Sequence, residues 1–124
     1  MPKILPLTLR SAIADWDREA GEFQFRVETD SGRLTIHGHL TAGSRGWMLR
    51  AKAACRRSTI TVHITAIETA ARRLPDLEHH RYHATIDVQR PGRYSLRVAH
   101  AFVLKGESGV GLARPVFEQV LHVP

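Results

Sequence analysis

Cysteine is almost absent from this chain: Cys55 stands alone among 124 residues. No intrachain disulfide can form, so the fold must rest on its core. That usage fits a reducing compartment, and the expected location is cytoplasmic. Asparagine is missing altogether, which removes any acceptor for N-glycosylation. No apolar run approaches the roughly 20 residues a bilayer-spanning helix needs, and no membrane partner is expected. The short run from Ile4 to Leu9 is broken by Pro6 and Thr8 and lacks a small-residue cleavage site, so it does not read as a signal peptide. Aromatics make up only 6% of the chain. Nucleic-acid binding on a sheet face wants them beside exposed arginines. Trp47, Tyr82 and Tyr94 instead fall at inward positions of the pattern described below, so nucleic acid is not the favoured partner.

What is present is an ordinary globular balance, 43% hydrophobic and 24% charged, in a length typical of one domain. The net charge is +6, and arginine supplies fifteen of the eighteen basic residues. Arginine suits phosphate and carboxylate partners because its planar fork donates paired hydrogen bonds. The arginines are scattered, with no run of five basic residues, as solubilising charge usually is. A polyanion-binding role therefore stands as an alternative.

The dominant signal is alternation. Apolar residues recur at every second position through Phe23-Phe25-Val27, Leu34-Ile36-Leu40, Trp47-Leu49-Ala51-Ala53-Cys55, Ile60-Val62-Ile64, Tyr82-Ala84-Ile86-Val88 and Tyr94-Leu96-Val98. Period two means strands with one buried and one wet face. Turn residues separate them: Asp30-Ser31-Gly32, Thr41 to Gly46, Arg57-Ser58, Gln89 to Gly92 and Gly106 to Gly111. Val116 to Val123 makes a seventh strand. The expected fold is an all-β, antiparallel sandwich of about seven strands over residues 23–124. Residues 1–22 form an N-terminal arm, with an edge strand at 4–9 and a short helix or irregular stretch from Ser11 to Ala20, which Gly21 would end.

One local motif sharpens this. Gly92-Arg93-Tyr94-Ser95-Leu96-Arg97-Val98 reads Gly-x-Tyr-x-Leu-x-Val at the start of a strand. It resembles the tyrosine corner of immunoglobulin-like and fibronectin-type-III-like sandwiches. The resemblance implies that the Tyr94 hydroxyl bonds back to nearby main chain beside Gly92. Leu96 stands where antibody domains place a cysteine, so an antibody-type disulfide is excluded. The resemblance implies a sandwich and no enzymatic activity.

Groups that could carry chemistry are few. Gly106-Glu107-Ser108-Gly109-Val110-Gly111-Leu112 has P-loop glycine spacing, but Leu112 and Ala113 replace the lysine and hydroxyl that hold phosphate; it reads as a loop between two strands. His37 and His39 lie two apart on one strand, where both imidazoles project to the same side. With His63 or Asp87 as a third ligand, if the strands are neighbours, they could hold zinc or copper; ordinary solvated histidines are the competing reading. His100 lies on the Tyr94-Leu96-Val98 face, where a hydrogen-bonded core histidine is expected. Cys55 continues an apolar face and reads as a structural thiol. The last strand is apolar on both faces, with Val116 and Val120 on one and Phe117, Leu121 and Val123 on the other. Either the arm, through Ile13 and Trp16, or a second copy of the chain would cover it. Phe117, Val120 and Trp16 are thus the interaction candidates. The expected function is a non-enzymatic binding or interaction module with a protein partner and no cofactor. A homodimer is one form of this, and metal binding through the histidines is the alternative.

Overall fold

A computed structural model of the chain describes residues 2–14, 25–43, 46–69, 78–104 and 112–124. Among these residues the strands are β1 (Lys3–Leu5), β2 (Leu7–Ala14), β3 (Arg26–Asp30), β4 (Arg33–Ala42), β5 (Trp47–Arg56), β6 (Thr59–Glu68), β7 (Glu78–Asp87), β8 (Gly92–Val103) and β9 (Arg114–Val123). They form two sheets, one in the order β1-β5-β6-β8-β9 and one in the order β2-β7-β4-β3. Every pairing is antiparallel except β6 with β8. The parallel pair follows from the path of the chain. It leaves β6, runs back through the opposite sheet as β7, and returns as β8, and two reversals restore the direction of β6.

The alternation is realised as burial. Leu34 and Ile36 of β4, Ile60, Val62 and Ile64 of β6, Ala84 and Ile86 of β7, and Leu96 and Val98 of β8 are sealed between the sheets. Each large side chain of this kind contributes about 1.5–3 kcal/mol on burial. Phe25 and Tyr94, also expected inside, are only partly covered and pack at the margins of this core.

The N-terminal residues belong to both sheets. β1 pairs with β5 and β2 with β7, so the chain changes sheets at Pro6. Proline has no N–H for a ladder, and the Pro6 carbonyl instead accepts the Asp87 N–H at 3.0 Å. Neither the helix nor the irregular stretch expected from Ser11 is formed at its start: Ser11 to Ala14 pair with Tyr82 to His79 of β7. The ladder outweighs the weak helical spacing there, and residues 15–20 lie outside the described residues.

The two ends of the sandwich differ. At one end the connections are tight: Ser31-Gly32 between β3 and β4, Arg57-Ser58 between β5 and β6, and residues 88–91 between β7 and β8. Gly32 and Arg57 take φ of +67° and +57° there, the left-handed region that closes such turns. At the opposite end the chain leaves β2, β4, β6 and β8 and re-enters β3, β5, β7 and β9. The register places all these strand ends together, with Ala14 beside His79, Ala42 beside Glu78, Trp47 beside Glu68 and Ile67 beside Val103.

Candidate binding site

The loop-bearing end has a polar floor built from both sheets. Gly38 interrupts the Leu34-Ile36-Leu40 series of β4, and Tyr82 stands opposite it on β7. A Cβ at Gly38 would lie 2.5 Å from the Tyr82 ring and 2.7 Å from the Phe25 ring. The missing side chain is therefore the space that the Tyr82 ring occupies. The Tyr82 hydroxyl crosses the sandwich to within 2.8 Å of Nε2 of His100 on β8. Burial pushes the Tyr82 hydroxyl well above its ordinary pKa. Burial, helped by the neighbouring His39, pulls His100 down to about 4. Both groups are thus neutral at pH 7 and share one hydrogen bond, which removes the cost of burying either alone. The Phe25 ring flanks the pair, 6.4 Å from Tyr82 and 6.0 Å from His100, and stacks on Phe117 of β9 at 5.3 Å.

Above this floor a cleft of about 540 Å³ opens between β4 of one sheet and β8 and β9 of the other. Leu40, Thr41, His100, Phe102, Leu112, Arg114 and Val116 line it. Three of its walls are apolar groups left in water: Phe102 is 39% exposed, Val116 40% and Leu112 89%. Trp47 meets Phe102 edge to face at 5.6 Å.

A buried carboxylate fixes the position of Trp47. Glu78, at the start of β7, accepts the Gly46 N–H at 3.0 Å and the Trp47 N–H at 3.2 Å. His80 Nε2 donates to the same carboxylate at 2.7 Å. Burial alone would raise the Glu78 pKa, but these donors outweigh it and hold the carboxyl below its ordinary value. Thr69 closes the same corner, donating to the Gly46 carbonyl from both its N–H and its hydroxyl. Glu78, His79 and His80 are all polar, so the apolar alternation does not mark the start of β7. The available signal was parity: residues 78 and 80 continue the Tyr82-Ala84-Ile86 face, although both are polar.

The expected site residues are dispersed. His37 lies against His83 of β7, with ring centroids 4.4 Å apart, and its Nε2 is 3.5 Å from a Glu28 oxygen. His39 packs near Phe25 at 5.3 Å. His63 is on β6 of the other sheet, and because Ile60, Val62 and Ile64 fill the inner face, it points to the far outer surface. The trio His37, His39 and His63 therefore does not converge, because the core separates its members. Among the described residues, no three histidine, cysteine, aspartate or glutamate side chains gather in a way that could hold a metal ion.

Of the interaction candidates, Phe117 is half-buried and Val120 is 54% exposed, while Trp16 lies outside the described residues. The Tyr94 hydroxyl donates to the Arg90 carbonyl at 2.8 Å, across the turn that ends at Gly92. Cys55 is half-buried and its thiol donates to the Arg57 carbonyl at 3.2 Å. Among the described residues no helix is long and apolar enough to cross a membrane. No protein-family model matches the chain, and no curated protein or solved structure matches it.

Proposed function

We propose that this chain is a non-enzymatic binding module of immunoglobulin-like kind that holds a protein partner with the loop end of its sandwich. The observation that carries this reading is the asymmetry of the two ends. The described ends of β2, β4, β6 and β8 and the starts of β5, β7 and β9 gather where a cleft exposes Phe102, Leu112 and Val116. The other end carries the tight turns with Asp30, Ser31, Arg57, Ser58 and Arg90, the change of sheet at Pro6, and a single large exposed apolar residue of β1, Ile4, among the described residues. Recognition residues concentrate on loops held by a rigid scaffold, and apolar groups grouped in water are the kind of surface a partner buries. The Tyr94–Arg90 hydrogen bond supports the immunoglobulin-like assignment. The five-plus-four strand arrangement with one parallel pair sets the chain apart from the four-plus-three antibody pattern. The lone, half-buried cysteine suits a reducing cytoplasmic setting.

The test is site-specific photo-crosslinking in an extract of the source cells, with the photoreactive residue at Leu112 or at Ser58. A discrete adduct from Leu112 and none from Ser58 supports the reading. Adducts of equal yield from both ends, or none from Leu112, overturn it.

A second reading has its own observation. On the outer face of the four-stranded sheet, Arg10, His83, His37 and Arg26 form one row across all four strands. A polyanion could lie along that row. Glu28 and Asp87 share the face, which ranks this reading second. Retention on heparin that Arg10→Glu abolishes would favour it.

A further inference from the structure

β9 is the last strand of its sheet and pairs only with β8. Its other side carries backbone N–H and C=O groups with no strand beside them among the described residues. Proteins usually blunt such an edge with proline, lysine or a bulge. Here the blunting is confined to the start of the strand. Pro115 has no N–H to offer, and a bulge breaks the ladder where Val98 and Ala99 face Phe117 and Pro115. From Phe117 to Val123 the register is unbroken, and the stretch holds neither proline nor lysine. Its midpoint is Val120, 54% exposed.

We propose that this edge pairs with the same edge of a second copy, antiparallel, about a two-fold axis at Val120. A sheet continued through an edge keeps inner side chains with inner and outer with outer, so only registers centred on a residue are allowed. Centring on Glu118 sets that carboxylate against itself. Centring on Gln119 sets Glu118 against Val120. Centring on Val120 sets Val120 against Val120 and Glu118 against His122 of the second copy, twice by symmetry. Glu118 already holds Arg97 of β8 at 3.0 Å, so a short row of donors and acceptors, Arg97, Glu118 and the imidazole of His122 from the second copy, runs across the joint. On the inner face Phe117 meets Val123, and the half-covered stack of Phe25 on Phe117 gains a neighbour. Five strands from each copy become one continuous sheet. The pairing uses the side of the sandwich, so it is independent of recognition at the loop end.

Sedimentation equilibrium of the full chain across the micromolar range tests this, with thermal melts confirming that each variant folds. The wild type is expected to dimerise. His122→Glu, which sets two carboxylates opposite each other, is expected to weaken the dimer about tenfold or more. Adding Glu118→Lys to it reverses the pair and restores association. Val120→Cys is expected to form an intermolecular disulfide under mild oxidation, beyond any background from Cys55. Ile4→Cys, on the β1 edge, is not expected to do so. A monomer at every concentration overturns the proposal. So does a dimer that ignores the charge swap and leaves Val120→Cys uncrosslinked.

Discussion

Replacing His100 by glutamine should remove a defined share of the protein's sensitivity to acid. His100 is buried against Tyr82, and burial holds its pKa at about 4 instead of the ordinary 6.5. The unfolded chain therefore takes up the proton first. Stability from this group is full above the unfolded pKa and falls as the pH drops towards the folded one. Near pH 5 the unfolded imidazole is almost wholly charged while the folded one is still mostly neutral. Relative to pH 7, linkage sets the loss at about 2 kcal/mol. Glutamine still offers Tyr82 an acceptor and does not titrate. His39 and His83 are also lowered, both chiefly by burial, but they act alike in wild type and variant. Glu78 is held below its ordinary value of 4.5, so its contribution is lost only at lower pH. Urea unfolding of both proteins at the two pH values isolates the His100 share. Equal losses in wild type and His100→Gln would refute the buried Tyr82–His100 pair.

Gly38→Ala forces a methyl against the Tyr82 and Phe25 rings and should lower stability by about 1–3 kcal/mol; an unchanged melting temperature would contradict the packing. Glu78→Gln weakens the charge-assisted bonds from Gly46, Trp47 and His80. It should cost about 1.5–3 kcal/mol and alter Trp47 fluorescence before global unfolding, and a silent substitution would count against the corner. Tyr94→Phe removes the bond to Arg90, which sits at the surface, so chemical denaturation should show a loss of about 0.5–1 kcal/mol. No loss would deprive the corner of any energetic role.

Much of the fold was legible in the sequence, for a local reason. The strands expected at Leu34, Leu49, Ile60, Tyr82 and Leu96 each bury one face, and that burial writes period two into the sequence. His100 shared parity with Leu96 and Val98, so a hydrogen-bonded core histidine could be expected, and its partner proved to be Tyr82. What escaped was long-range. The parallel pairing of β6 with β8 depends on a detour through the other sheet, which no local pattern records. An edge strand was expected at 4–9 in the N-terminal arm, but not its division between two sheets: Pro6 disguises the change of sheet, and the spacing of Ile13, Trp16 and Ala20 resembles a helix where β2 continues to Ala14. Gly38 breaks the alternation of β4, and the ring that fills its place comes from β7. The start of β7 was hidden because Glu78 and His80 are buried as a hydrogen-bonded pair, and polar residues do not announce an inner face. That His63 faces away from His37 and His39 was hidden for the same long-range reason, since strand parity cannot say which sheet a strand joins.

The most direct test of the binding reading is hydrogen–deuterium exchange of the chain alone and with the partner captured through Leu112. Slowed exchange is expected at Leu40 to Ala42, Gly46 and Trp47, Phe102 and Val103, and Leu112 to Arg114, with no change at Ser31-Gly32 or Arg57-Ser58. Protection at those turns, or confined to the outer face around His37 and His83, would contradict it.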